Sequence, residues 1–177
     1  MTTQVKVLIA KIERDTKIGR LEKMFETNDY FQLPIKTLEQ EIETLHVTRT
    51  VRTLKTHGAD FIARLIDASM ADQAARSRLT EIALKAFRAE KHLATALDAL
   101  KNHLIVKYST DLSLFRTKEE RLRIIDLVLE RYSRYQEAVN RIQNMVKLIV
   151  NDIDQSAWML KGITESMKML NRPESTL

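Results

Sequence analysis

The sequence predicts an all-α protein, and two observations lead to this class. The 177 residues include only three glycines and two prolines, too few for the turns that a β-sheet protein needs. Between residues 125 and 170, apolar side chains recur at alternating spacings of three and four, and only Ser156 interrupts them. A 3.5-residue repeat of this length keeps one seam of a helix facing a partner. We therefore expect a long antiparallel helical hairpin or bundle with a heptad-repeat carboxy-terminal helix and a smaller helical amino-terminal part.

The amino-terminal part is predicted to be helical from its first residues. Residues 4–25 carry apolar side chains at helical spacing, with Gly19 weakening the middle of the stretch. Residues 27–34 end in a proline and indicate a connection. Thr37 followed by Gln40 has the spacing of a capping box for the next helix.

That helix is expected to end at Gly58, which divides the chain into two regions. Residues 1–58 would form an amino-terminal helical region that contains a basic helix. Residues 59–177 would form the long helical hairpin that mediates assembly.

The hairpin is expected to turn at residues 109–116. Before this turn, residues 79–108 hold apolar side chains at helical spacing, and several of them are alanines that allow helices to approach closely. After it, Thr117 and Glu120 have capping-box spacing and start a final helix that Pro173 ends.

The heptad seam of the final helix is the predicted assembly surface. The residues that flank the seam are also apolar at several positions, so the face is broader than a two-stranded coiled coil needs. One neighbour is expected to be the preceding long helix, and another a second subunit; a monomeric bundle that uses the whole face internally is the alternative. The residues predicted to hold a homo-oligomer are Ile125, Val128, Tyr132, Tyr135, Val139, Ile142, Val146, Ile149, Ile153 and Trp158.

The positive charge of the chain is concentrated in its middle. The formal net charge is +5, and residues 44–123 hold 15 basic and 9 acidic side chains, which gives +6 in that stretch alone. Residues 1–43 give −1 and residues 124–177 give zero. This asymmetry indicates an anionic partner for the central segment, for which nucleic acid is the commonest candidate.

Within that segment, residues 45–58 contain basic side chains at intervals of three and no acidic residue. Such spacing forms a cationic stripe beside threonine hydroxyls, a combination that suits phosphates. A second basic group follows on the next helix. The predicted nucleic-acid-binding residues are Arg49, Arg52, Lys55, Arg76, Arg78 and Arg88. The alternative is an ordinary solvated helix face.

No enzyme motif is recognisable, so we predict a protein without catalytic residues, cofactor or metal. Cysteine is absent, which excludes disulfides and thiolate chemistry. The four histidines form no HExxH pair, and there is no phosphate-binding glycine loop. No stretch approaches the roughly 20 apolar residues of a membrane span, and the amino terminus lacks a signal-peptide core. We expect a soluble cytoplasmic protein with no membrane partner.

The carboxy-terminal half resembles the tail of the UvsY-type recombination mediators of tailed phages. The likeness covers about sixty residues, roughly a third of the chain. Its points are a lysine and two glutamates that open a long regular apolar helix, and an aromatic residue followed by a leucine-lysine pair and an isoleucine. These residues are Lys118, Glu119, Glu120, Trp158, Leu160, Lys161 and Ile163.

Such mediators assemble into rings, bind single-stranded DNA and load a RecA-like recombinase. The resemblance therefore implies that Arg49, Arg52 and Lys55 contact DNA, that the final helix holds the oligomer and that the compartment is the host cytoplasm. The resulting hypothesis is a non-enzymatic oligomeric DNA-binding accessory protein. The rival is a structural or adaptor protein, such as a virion component or a small terminase-like packaging subunit, that acts through helix-helix contacts.

Overall fold

The computed structural model describes residues 3–50, 61–115 and 117–170, with side chains over these ranges except at Thr50, Phe61, Ile62 and residues 167–170. Within these ranges the chain is helical and contains no strand, which confirms the all-α prediction. None of these helices is both long enough and apolar enough to cross a membrane. The helices are α1 (Thr3–Glu13), α2 (Thr16–Thr27), a short 3₁₀ helix (Asp29–Phe31), α3 (Ile35–Thr50), α4 (Phe61–Lys107), α5 (Ser109–Leu112), α6 (Lys118–Val128) and α7 (Glu130–Leu170).

The predicted capping box at Thr117 is present and starts α6. The Thr117 hydroxyl accepts a hydrogen bond from the Glu120 amide at 3.1 Å, and the Glu120 carboxylate accepts one from the Thr117 amide at 3.3 Å. Two backbone donors that an unpaired helix start would leave open are thereby satisfied. The sequence pattern was therefore sufficient to locate this helix start.

The amino-terminal stretch breaks at Asp15, whose carboxylate caps α2, and Gly19 lies inside that helix. Two other predicted boundaries differ from the structure. Helix α3 begins at Ile35, directly after Pro34, so Thr37 lies inside the helix and does not cap it. The final helix is interrupted at Leu129, between α6 and α7. The heptad pattern misses this interruption because its apolar spacing continues across it. The predicted stop at Gly58 lies outside the described residues.

The chain forms two compact units, each built from two separate stretches. The first comprises Met1–Lys36 and Leu84–Gln143, and the second comprises Thr37–Ala83 and Asn144–Leu177. The predicted division at residue 58 does not coincide with these units. The reason is that helices pack against partners that are distant in sequence, so a unit follows the packing and not the order of the chain.

In the first unit, the amino-terminal helices cover the beginning of the seam. Phe25 stacks on Phe31 with ring centroids 5.4 Å apart, and it meets the edges of Tyr132 and Tyr135 at 5.2 and 5.0 Å. Lys101 of α4 pairs with Asp126 of α6 at 2.8 Å, which shows that the chain reverses direction between them. The core also contains Leu8, Ile12, Ile18, Leu21, Leu93, Leu97, Leu100, Leu104, Tyr108, Leu112, Ile124, Ile125 and Leu129.

In the second unit, parts of three helices supply the buried apolar side chains. Helix α3 contributes its Leu38 and Ile42, and the start of α4 and the second half of α7 contribute the others. These others are Ala75, Leu79, Ile82, Val146, Ile149 and Ile153. Segments of α4 and α7 thus belong to the buried cores of both units.

A buried carboxylate joins α2 to the end of α4 within the first unit. The Asp15 side chain is fully buried and accepts hydrogen bonds from the Lys107 ammonium at 2.7 Å, the Tyr108 hydroxyl at 3.1 Å and the Lys17 amide at 2.8 Å. Burial by itself raises the pKa of Asp15, but these hydrogen bonds stabilise the anion and lower the pKa from its ordinary 3.8 to about 2. The carboxylate is therefore ionised whenever the protein is folded near neutral pH.

We expect Asp15→Asn to destabilise the protein by about 2 kcal/mol at neutral pH, because the lowered pKa corresponds to that much stabilisation of the anion. Since the folded-state pKa lies below the unfolded-state value, this contribution is complete above about pH 5 and is lost as the pH falls towards 2. Urea unfolding of both proteins between pH 2 and 7 measures it. Asp98→Asn, which changes an exposed carboxylate, is the control. A stability difference that stays constant over this pH range would contradict the prediction.

Candidate nucleic-acid interface

The structure gives Arg49, the first predicted DNA-binding residue, an internal position. Its side chain is 6% exposed. Its Nε donates to Asp72 at 3.1 Å and its Nη1 to Asp152 at 2.6 Å, and Nη2 lies 3.5 Å from the Ser156 hydroxyl. Burial lowers the pKa of Arg49, but the two carboxylates outweigh this effect and raise it, so the guanidinium stays charged. The guanidinium group of Arg49 is therefore directed at α4 and α7 and not at solvent.

Arg52 and Lys55, the other two residues of the predicted stripe, lie outside the described residues. The structure therefore places one member of that stripe, and it places this member against two aspartates.

Arg76 and Arg78 are partly exposed, with side chains 43% and 42% accessible, but they are already paired. Arg76 donates from Nε and Nη2 to both carboxylate oxygens of Asp154, at 2.8 and 3.3 Å. Arg78 forms the same two-pronged contact with Glu41, at 2.6 and 3.1 Å, and its Nη1 reaches Glu81 at 2.9 Å. These pairings offset much of the positive charge that composition assigns to the start of α4.

Arg88 differs from Arg49, Arg76 and Arg78 because it is exposed and forms no ion pair with any residue that the structure describes. Lys85 and Lys91, three residues before and after Arg88, are also exposed and form no ion pair with any described residue. Intervals of three residues place the three side chains along one side of α4. Lys85, Arg88 and Lys91 together form the α4 basic face.

The position of this face on the helix follows from the buried residues around it. Ala86, Ala89 and Leu93 are completely buried and define the inner side of α4 in the first unit. At 100° per residue, Arg88 and Lys91 lie on the opposite, solvent side, and Lys85 lies at the edge between the two sides. The charge of the α4 basic face is therefore directed mainly away from the protein.

Two apolar side chains lie beside the α4 basic face. Leu84 is 49% exposed and Phe87 is 51% exposed. Phe87 was not among the functional residues predicted from the sequence. The sequence contains a sign that Phe87 is not a core residue, because it does not follow the helical spacing of the apolar residues Ile82, Ala86 and Ala89.

The predicted oligomerisation residues are mostly buried by helices of the same chain. Val128 and Tyr135 are partly buried against the core of the first unit. Trp158 is 78% exposed. The remaining residues are buried, and they are Ile125, Tyr132, Val139, Ile142, Val146, Ile149 and Ile153. This distribution fits the alternative in which most of the seam is used inside one chain.

Two histidines have defined contacts in the first unit. His92 stacks on Tyr30 with ring centroids 5.1 Å apart, and His103 Nε2 lies 3.6 Å from the buried Asp15 carboxylate. Among the described residues, no group of three or more histidine, aspartate or glutamate side chains is arranged to hold a metal ion.

Comparison with protein-family models, with curated proteins and with solved structures finds no match to this chain. What the protein does must therefore be inferred from its own surfaces. Two surfaces are exposed in a way that suits a partner: the α4 basic face with Phe87, and the apolar side chains around Trp158.

Proposed function

We propose that this protein is a non-enzymatic accessory protein that self-associates through its helices and binds nucleic acid, with single-stranded DNA as the favoured ligand. The observation that carries the proposal is the α4 basic face, whose three cations are exposed and unpaired among the described residues. The resemblance of the carboxy-terminal half to phage recombination mediators supports the same function.

Three unpaired cations on a solvent-facing helix side are suited to a phosphate backbone. Lys85 and Lys91 are six residues apart, which corresponds to roughly 9 Å along the helix. At about 3.4 Å per nucleotide along one strand, such a row reaches about two or three phosphates. Binding by cations alone releases counterions and positions a backbone without reading its bases. We therefore expect affinity without sequence specificity.

Phe87 favours a single strand over a duplex. Its exposed ring lies next to Arg88 in sequence, and an unstacked base contributes about 1–3 kcal/mol when it stacks on an aromatic side chain. The bases of a duplex are already stacked and cannot use this ring. The α4 basic face supplies charge for either form of DNA, so the preference for the single strand depends on Phe87.

One such row binds weakly, because three phosphate contacts contribute little at physiological salt. Several copies held in one assembly engage the same strand together, and the linked contacts multiply the affinity without any new chemistry. Self-association is thus part of the proposed mechanism and not a separate property.

We expect Lys85→Gln, Arg88→Gln and Lys91→Gln together to weaken binding of a labelled single strand and to reduce its salt dependence. Because each chain then lacks three cations that neutralise phosphates, the slope of log affinity against log salt should fall by about 2. Titration of the full chain at several salt concentrations measures both quantities. The matched control replaces Lys6, Lys17 and Lys23, which are exposed and in the first unit, and removes the same charge. Equal slopes for the two triple variants would contradict the assignment.

Phe87→Ala separates the two forms of DNA. It should lower the affinity for a single strand about tenfold or more and leave duplex binding nearly unchanged, because only the single strand stacks on the ring. Equal losses of affinity for both ligands would show that Phe87 supports the helix and does not contact bases.

The second candidate function is that of a structural or adaptor protein that binds another protein. The exposed apolar residues of α7 favour it, since Trp158 is 78% and Met159 60% exposed. An exposed apolar patch marks a surface that a partner covers. A chain that binds neither single-stranded nor duplex DNA at low salt would support this function.

A further inference from the structure

The solvent side of α7 carries a large apolar knob one helical turn from a gap. Trp158 is the knob, and Met159 and Ile163 beside it are 60% and 46% exposed. The gap is at Gly162, where an added Cβ would meet no atom within 4 Å. These residues and Ser166 line an open groove of about 580 Å³ on the surface of α7.

From these features we infer that two copies of this chain associate through antiparallel contact of their α7 helices, with Trp158 of each copy seated over Gly162 of the other. The inference deepens the self-association in the proposed function and rests on it. It places the contact around Trp158 and not on the part of the seam between Ile125 and Ile153, whose residues are mostly buried within the chain.

The shape of the surface favours a second copy over a different protein. Trp158 and Gly162 lie four residues, about 6 Å, apart on one face. Two-fold symmetry places a second, identical helix antiparallel to the first. Trp158 of each helix then lies opposite Gly162 of the other, so the surface is complementary to itself. A glycine in a helix interior costs about 1 kcal/mol relative to alanine. Packing within the chain does not explain a glycine at this position, whereas close approach of a second helix explains it.

The charge of the surface agrees with this occupant. Lys161 and Glu165 border the apolar residues and lie 4.0 Å apart, so they offset each other. Asp154, one turn before Trp158, is paired with Arg76. The surface is therefore close to neutral, and a second copy meets it without like-charge repulsion. A nucleic acid finds no unpaired cation there among the side chains that line the groove.

The contact area between two copies is large enough for a stable interface when the polar residues beside the apolar ones are included. The exposed parts of Trp158, Met159 and Ile163 on two copies amount to roughly 800 Å². Stable specific interfaces bury about 1,200 Å² or more. Gln155, Glu165 and Ser166, which lie on the same side of the helix and are exposed, bring the contact into that range. The central, fully covered residue would be a tryptophan, the type that most often dominates binding energy at such interfaces.

The test uses the full chain and its single tryptophan. Across a concentration series, light scattering reports mass, and emission from Trp158 reports whether the indole becomes buried. We expect the mass to rise and the emission to move to shorter wavelength over the same concentrations. Gly162→Leu should raise the dissociation constant at least tenfold while helicity and melting temperature stay equal or increase, because leucine is the better helix former.

Two further variants make the result specific. Trp158→Ala should weaken association to a similar extent, and Trp158→Ala combined with Gly162→Leu should recover part of it, since the knob and the gap have exchanged places. Leu148→Ala is the matched control, because Leu148 is 71% exposed on the same helix but lies outside the groove. It should leave the mass unchanged.

The inference is overturned if the mass rises while the Trp158 emission stays constant, if Gly162→Leu and Trp158→Ala keep the parental mass, or if the chain stays monomeric at every concentration. The first two outcomes leave the proposed function intact and place self-association elsewhere. Loss of DNA binding in the α4 basic face variants concerns only the proposed function, because Lys85, Arg88 and Lys91 do not contribute to the groove.

Discussion

Replacing Ile142 by aspartate is expected to unfold the protein and not merely to separate its copies. Ile142 is completely buried inside the chain. Loss of the side chain alone costs about 2–5 kcal/mol, and a carboxylate without a partner in an apolar core costs several more. The total approaches or exceeds the stability of a typical domain, about 5–15 kcal/mol. Far-ultraviolet circular dichroism and urea unfolding, measured at low and high protein concentration, would show the loss of helix at both.

Leu148→Asp provides the matched control, since it introduces the same charge at a position of α7 that is 71% exposed. Surface changes of this kind shift stability by about 0.5 kcal/mol or less. Ile142→Ala gives a milder second variant, which should remain folded but lose about 2–5 kcal/mol. If Ile142→Asp remained fully helical and only its mass decreased, Ile142 would lie between copies, and its burial within one chain would be wrong.

Replacing Arg49 by alanine is expected to lower the free energy of unfolding by about 2–4 kcal/mol. The change removes the Arg49 guanidinium from Asp72, whose side chain is 18% exposed. Removing one partner of a buried pair costs about 3–5 kcal/mol. The expected value is somewhat lower because Asp152, the other partner, is 52% exposed and can be hydrated. Urea unfolding at neutral pH measures the difference.

Two other variants test why Arg49 matters. Arg49→Lys keeps the charge but cannot donate to two carboxylates with a planar fork, so it should recover only part of the loss. Arg76→Ala removes an exposed pair with Asp154, with both side chains about half exposed, and should cost at most about 1 kcal/mol. Unchanged stability in Arg49→Ala together with weaker DNA binding would return Arg49 to the DNA-contact role that the sequence suggested.

The helical class and much of the helix layout could be predicted from the sequence, because these depend on residues close together along the chain. The scarcity of glycine and proline, the apolar spacing and the Thr117–Glu120 box all act within a few residues. The start predicted at Thr37 and the interruption missed at Leu129 show the limit of this signal. Helix α3 begins at Ile35, directly after Pro34.

Which cations and which apolar residues are available to a partner depends on packing between distant parts of the chain. Arg49 meets carboxylates 23 and 103 positions away, and Arg78 meets Glu41, 37 positions before it. No local pattern contains such partners. The same holds for the seam, whose spacing shows that a face is buried but not which helix buries it. The α4 basic face and the surface around Trp158 are distinct because packing pairs Arg49, Arg76 and Arg78 with carboxylates and buries most of the seam. An ion pair or an apolar contact depends on distance in space and not along the chain.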